Sequence, residues 1–393
     1  MPQSTTPSRG DAEVYLDHAA SAPLRPEARA AMLEWLGGRY GNPSGAHRVA
    51  RAARRAIDEA RDAVAEGLGC RPGEVIFTGG GTEADNLAVL GAHAARPGPV
   101  LCSAIEHEAV LAPVAQVGGR QVPVDPAGRI DLDALGDAVG PDTSLVSVMT
   151  ANNEVGTVQP VAAVADVVRS RSPGAVVHTD AVQAAPWLDL PVVAGEPDLV
   201  SVSAHKLGGP QGVGALAVRQ GTALAPRALG GGQERELRSG THNVAGIVGF
   251  AAALAAARAQ RGAEVERITR LRDRLAAGLL AAVPGAVDTV RRLPVAGDPV
   301  ERLPGTLHLC FPGVESEALL FLLDQLGVCA SAASACASGA QQASHVLAAI
   351  GVPAGEARGS LRLSLGWTTT DADVDAALDA IPGAVARLRG AAA

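Results

Sequence analysis

Residues 199–206 read Leu-Val-Ser-Val-Ser-Ala-His-Lys. The run Leu199–Ser203 has the length and the β-branched content of a buried strand, and Ala-His-Lys follows at its carboxyl end. Working outward, comparable runs occupy Val75–Thr78, Val100–Ile105, Gln121–Val124, Ser144–Thr150, Ala175–Thr179 and Gly214–Val218. Helical patterns at Glu83–Ala94, Ala109–Val117 and Val161–Arg171 separate several of them. The alternation predicts an α/β unit: a mostly parallel central sheet with helices on both faces. Upstream, Gly45–Leu68 reads as an Arg-rich helix that packs through Val49, Ala53, Ile57 and Val64.

The composition shifts near residue 262. A long helix is expected over Ala263–Leu280, followed by Pro/Gly-rich connections and short strands around Thr306–Cys310 and Ser360–Ser364. Helices at Glu315–Leu326, Ala340–Ile350 and Asp371–Ile381 complete an α+β pattern. The expected division is a large domain over 22–262 and a smaller α+β domain built from 1–21 and 263–393. No internal repeat is visible.

Of the 393 residues, 47% are hydrophobic and 19% charged, too apolar for a disordered chain. The net charge of -8 gives no electrostatic case for direct nucleic-acid binding. The longest uncharged apolar run, Val244–Ala257, reads as a buried helix, because a membrane span needs about 20 residues. The N-terminus has no apolar core of a secretory signal. Cys70, Cys102, Cys310, Cys329 and Cys336 show no CxxC spacing, so neither a disulfide framework nor a metal site is expected. These features suit a cytoplasmic protein.

One count says more than the totals. Lys and Arg sum to 33, and Lys206 is the sole lysine. Arginine replaces lysine where only positive charge matters. It cannot replace a neutral amine that attacks a carbonyl, because guanidinium stays protonated. Lys206 is therefore a candidate for covalent chemistry; the alternative is a chance survivor of compositional bias.

Three segments carry candidate chemistry. Phe77-Thr-Gly-Gly-Gly-Thr-Glu-Ala-Asp-Asn86 joins a strand to a helix, where glycines and free N–H groups suit a phosphate. It also fits a loose dinucleotide pattern at Gly79, Gly81 and Ala84 with Glu106 downstream, or a plain tight turn. His178-Thr-Asp180 and Ser201–Lys206 end two strands, and ligands gather outside the carboxyl ends of strands in such sheets. A carboxylate beside a unique lysine suggests pyridoxal phosphate, with the lysine bonded to the aldehyde and the carboxylate keeping the pyridine nitrogen protonated. Taken singly, Asp180 could be a helix N-cap.

With Ala151-Asn-Asn-Glu-Val-Gly156, Arg238-Ser-Gly-Thr241 and Ser334-Ala-Cys-Ala-Ser338, these segments occur in an order that resembles the cysteine desulfurase family. That family is the NifS/IscS-like branch of the fold-type I, class V aminotransferase-like pyridoxal phosphate enzymes. The resemblance runs from Tyr15-Leu-Asp-His-Ala19 to Arg362-Leu-Ser-Leu-Gly366. Ser331–Ser338 is similar to the group I form, which implies a mobile cysteine loop at about 329–340.

The resemblance implies these roles. Lys206 bonds pyridoxal 5'-phosphate and Asp180 faces its ring nitrogen. Gln183 meets the ring hydroxyl. Gly81, Thr82, Ser203 and His205 hold the phosphate, with Thr241 arriving from the second subunit of a homodimer. His107 stacks on the ring and moves protons. Asn153 lies by the ring and, with Asn42 and Arg362, addresses the substrate carboxylate. Cys336 accepts sulfur from L-cysteine and passes it to an acceptor protein, either an iron–sulfur scaffold or a thiolation relay. From the residues alone, His107 could equally be a satisfied core histidine and Asn42 a turn residue. His18, His47, His242 and His345 carry no assigned role. Cys329 reads as a packed strand cysteine. The chain departs from the family pattern at Ser21-Ala22, where two threonines are usual, and at Gly80, where serine is usual. Three other functions remain open: a selenocysteine lyase or C–S lyase of the same fold, a NAD-dependent oxidoreductase built on the glycine loop, and a non-catalytic scaffold.

Overall fold

The computed structural model describes residues 13–290, 301–332 and 344–391. Its strands, in chain order, are β1 (Val14–Tyr15), β2 (Val75–Thr78), β3 (Val100–Ser103), β4 (Arg120–Val122), β5 (Leu145–Ser147), β6 (Val176–Asp180), β7 (Leu199–Ser203), β8 (Gly214–Val218), β9 (Val287–Asp288), β10 (Thr306–Cys310), β11 (Val328–Cys329) and β12 (Ser360–Ser364). Strands β2 to β8 form one sheet in the order β2-β8-β7-β6-β5-β3-β4. It is parallel throughout except for β8, which runs antiparallel to both β2 and β7.

The first eight helices are α1 (Pro26–Leu36), α2 (Arg48–Leu68), α3 (Gly81–Ala95), α4 (Glu108–Gln116), α5 (Leu132–Ala138), α6 (Val161–Arg171), α7 (Leu190–Val193) and α8 (Val244–Ala282). Side chains alternate across a strand, so each strand feeds two cores. Ile76, Leu145, Leu199 and Leu216 pack with α3 and α4 on one face. Val75, Phe77, Val200, Val202, Ala215 and Ala217 pack with α2 and α8 on the other, where Leu101, Val146 and Val177 also meet α5 and α6. Both faces are thereby covered, as a parallel sheet requires.

A second antiparallel sheet has the order β12-β10-β9, and β1 pairs with β11 in parallel. Helices Ser316–Gln325 and Asp371–Ala391 close its core around Leu307, Leu309, Leu361 and Leu363. Two expectations are corrected here. Val244–Ala257 and Ala263–Leu280 are not separate helices but parts of α8, so a division at residue 262 falls inside a helix. Asp371–Ile381 is likewise the first half of a helix that continues through Pro382 to Ala391. Helices α1 and α5 were not read from the sequence, although Pro26 at a helix start and the Asp131 N-cap are recognisable signals.

Candidate active site

Strand parity creates the site. On β7, Leu199 faces α3 and α4, so Ser201 and Ser203 share that face; on β6 the same register brings up His178 and Asp180, and on β5 Ser147. The apolar stripe thus turns polar toward the carboxyl ends of the parallel strands. There, Ser147 Oγ lies 2.8 Å from His178 Nδ1, and Ser201 Oγ lies 3.0 Å from His178 Nε2. Asp85, one helical turn beyond Gly81 on α3, completes this buried layer: its Oδ1 has no hydrogen-bond partner and stands 3.6 Å from His178 Nε2.

Above the layer is a cavity of about 390 Å³. It brings together Gly81, Thr82, His107, Asn153, Asp180, Gln183, Ser203, His205, Lys206 and Arg362, along with Asp17 and Asp85. Lys206 Nζ donates to the carbonyls of Ala19 at 2.6 Å and Ala20 at 2.8 Å, and Gln183 Nε2 donates to Ala19 at 2.8 Å. Asp180 Oδ1 accepts the Val182 amide at 2.8 Å. His107 caps α4, its Nδ1 accepting the Ala109 amide at 3.1 Å. Arg362, buried on β12, donates to Asp17 Oδ1 at 2.9 Å and to the Asn153 carbonyl at 3.0 Å, while its Nε is buried without a partner.

The electrostatics follow from dryness. Burial, reinforced by the neighbouring Asp180, raises Asp85 well above the usual carboxylate range. Burial also raises Asp180, although the Val182 amide, His107 and Lys206 pull it partly back. Burial pushes His178 down to about 3. Burial lowers His107 too, against the pull of Asp180, and brings His205 to about 4.

Two expected residues stand apart in the single chain. Asn42 is exposed, its Oδ1 accepting the Ser44 amide at 3.0 Å in a local turn, and Thr241 is exposed; neither lines the cavity. Cys336, with most of its loop, lies outside the described residues. Cys329 is half-buried in β11, and burial raises its thiol. The departures are accommodated locally. Ser21 Oγ lies 3.3 Å from His205 Nδ1, so a hydroxyl persists at that wall. Gly80 has φ +148°, a conformation that side-chain-bearing residues rarely adopt. Each role-less histidine has a hydrogen-bond partner: His18 has Thr368, His47 the start of α2, His242 Nε2 has Glu234 while its Nδ1 is buried without one, and His345 has the Glu106 carbonyl.

Sequence reasoning assigned no role to Asp17 or Asp85, though both lie in motifs quoted for the resemblance. Their meaning depends on partners about 345 and 93 residues away, Arg362 and His178. The residues suit a flat cationic ring bearing a phosphate. A buried carboxylate waits at one end, and glycine backbone, hydroxyls and an imidazole line the other. A Cβ on Gly81 would come within 2.9 Å of Val182 Cγ2, so the cradle leaves no room for a side chain. The dinucleotide pattern fits less well: Ala84 is buried in the core, and Glu106 is fully buried, accepting the Met149 amide at 2.7 Å rather than facing the cavity. Among the described residues, no group of three or more His, Cys, Asp or Glu is placed to hold a metal ion. No helix among them is long and apolar enough to cross a membrane.

Known proteins share this architecture. The family model described as Aminotransferase class-V matches residues 14–377. An IscS-like cysteine desulfurase of Mycobacterium tuberculosis is 46% identical, the match covering 96% of this chain and 98% of that protein. A cysteine desulfurase of Cereibacter sphaeroides is 44% identical, covering 96% of each. The solved structure of a NifS-like protein superposes with a TM-score of 0.88 at 35% identity, over 96% of this chain and all of that one. The chain belongs to the class-V aminotransferase family, within its cysteine desulfurase branch.

Proposed function

We propose that this protein is a pyridoxal 5'-phosphate-dependent desulfurase that converts L-cysteine to L-alanine and leaves the sulfur as a persulfide on Cys336. Lys206 would hold the cofactor covalently, Asp180 would partner its ring nitrogen and Gln183 its ring hydroxyl, and His107 would pack against it. Gly81, Thr82, Ser203 and His205 hold its phosphate, joined by Thr241 of a second copy in a homodimer. When bound, the cofactor withdraws electrons from the substrate α-carbon.

The chain's own residues do the rest. Arg362, Asn153 and Asn42 orient the substrate carboxylate. The Lys206 amine moves the proton at the α-carbon. His107 is kept neutral near pH 7 by burial, so it can accept a proton and return it. The Cys336 thiolate attacks the substrate sulfur; the C–S bond breaks, its electron pair stays on carbon, and a proton then completes the methyl group of alanine. A small domain of 1–21 and 263–393, continuous with the large one through α8, carries the cysteine loop, which delivers the persulfide to an acceptor protein for iron–sulfur assembly or thiolation. The setting is cytoplasmic.

The observation that carries this reading is that the sole lysine and the buried Asp180, at the ends of neighbouring parallel strands, line one cavity. Borohydride reduction and peptide mapping should place a pyridoxyl group on Lys206. A colourless protein that pyridoxal phosphate cannot reconstitute refutes the reading. Cys336→Ser should keep the cofactor yet make almost no alanine; undiminished alanine and sulfide release would identify a C–S lyase instead.

A further inference from the structure

Residues 234–236 are three consecutive non-glycine residues with left-handed backbone: Glu234 at φ +48°, Arg235 at +57° and Glu236 at +65°. L-residues rarely adopt this conformation singly, and such strain persists only where the surroundings over-determine it. Here the surroundings do. The buried Glu234 carboxylate takes Arg61 through both oxygens at 2.9 and 2.6 Å, the Phe77 amide at 2.7 Å, and His242 Nε2 at 2.7 Å. Burial by itself would raise this carboxyl, but the His242 and Arg61 bonds outweigh it and hold it at about 2.

The turn reaches the glycine loop from both sides. Phe77, on the edge strand β2, lies two residues before Gly79, and its outward amide goes to Glu234. The neighbouring outward group, the Val75 carbonyl, accepts Arg61 at 2.6 Å, so one ion pair caps this edge. On the far side, Arg238 donates through Nε to Glu83 Oε1 at 2.7 Å and through Nη2 to Oε2 at 3.3 Å. Glu83 Oε2 also takes the Gly79 amide at 2.6 Å. Gln233 closes the segment on itself by accepting the Gly240 amide at 2.9 Å.

We propose that residues 233–240 are a clamp that, with Glu83 holding the Gly79 amide, fixes the following Gly80–Thr82 amides for a phosphate, with Glu234, Arg238 and Glu83 as positioning residues. The inference rests on the cofactor reading above and assigns what makes its phosphate end rigid. Arg238 and Glu83 are partly exposed, and a pair of that kind contributes little to stability. Its geometry counts, because a phosphate nest works only when successive N–H groups converge.

The test compares pyridoxal 5'-phosphate with pyridoxal, which lacks the phosphate, by absorbance titration of the full chain freed of cofactor. Arg238→Met and Glu83→Ala should each weaken pyridoxal 5'-phosphate by about tenfold or more, the usual cost of losing a group that orients a binding shell. Pyridoxal affinity should stay within about twofold. Arg238→Lys should recover part of the loss. The double variant should lose no more than Glu83→Ala alone, since Arg238 acts on the loop through Glu83. Equal losses for both ligands, additive losses, or no loss overturns the clamp. A wild-type protein that binds neither ligand overturns the cofactor reading itself, which the variants alone would not do.

Discussion

The floor and the mouth of the cavity are built on opposite principles. Asp85 and Asp180 line the floor, with His178 and Glu106 packed behind them, all buried, and burial raises the carboxyls and lowers the imidazole. The mouth, Gly79–Thr82 with Ser203 and His205, offers backbone amides, hydroxyls and a neutral imidazole, and is more open to solvent. A buried floor whose carboxyl groups are only partly compensated selects by charge: a cationic ring nitrogen relieves it, and a neutral ligand does not. A mouth of fixed amides and hydroxyls, with the Glu83 carboxylate tied up by Arg238 and Gly79, selects by shape. Binding and chemistry should therefore be separable by mutation.

The largest expected effect tests the floor. Asp180→Asn keeps the shape and removes the charge, so turnover with L-cysteine should fall on the order of 10²–10³-fold, the scale of a lost preorganised electrostatic contact. The preference for pyridoxal 5'-phosphate over pyridoxal should be unchanged. Turnover near wild type would remove the charge-selecting role of the floor.

Glu234→Gln isolates the support behind the mouth. A carboxyl held at about 2, against 4.5 when unperturbed, stabilises the fold fully above the unfolded value and loses that contribution as pH falls toward 2. The shift corresponds to on the order of 3 kcal/mol at pH 7. In urea unfolding, the variant should lie below wild type by that order at pH 7, with the gap narrowing below about pH 4.5. A gap independent of pH would mean that the loss is packing, not charge.

The smallest effect tests the mouth itself. Gly81→Ala places a Cβ about 2.9 Å from Val182 Cγ2 and 3.5 Å from Ser203 Cβ. Cofactor affinity should fall by a few-fold to about tenfold, while the turnover of the loaded fraction changes little, because remote contacts act on binding. If turnover per loaded site falls as far as affinity, mouth and floor are not separable.

Much of this was legible in the sequence for a local reason. Leu199–Ser203, Gly214–Val218 and Val161–Arg171 match their elements end to end, because a buried strand or helix must display its period in consecutive residues. Lys206 and Asp180 were legible because chemistry and strand-end position coincide. What stayed hidden depends on tertiary approach. Asp17 matters only because β12 brings Arg362 to it, and Glu234 only because its carboxylate meets an amide 157 residues earlier in the chain. The continuity of α8 was hidden by Arg258-Ala-Gln-Arg-Gly262, a polar stretch that looks like a break and is the solvent-facing bridge between two apolar segments.

That helix has a mechanical meaning. Thirty-nine residues at about 1.5 Å each make a rod roughly 58 Å long. Ile247, Phe250 and Leu254 root one end in the core of the large sheet, and Ile268, Leu271 and Leu275 root the other in the core of the small one. A beam shared by both cores leaves no hinge between them along its length. Any swing of the small sheet relative to the large one must flex the beam itself, while the other crossing near the cavity, the strap at Ala19–Ala22, is tied down by Lys206, Gln183 and the backbone of His205. Stiffness is thus the default of the scaffold.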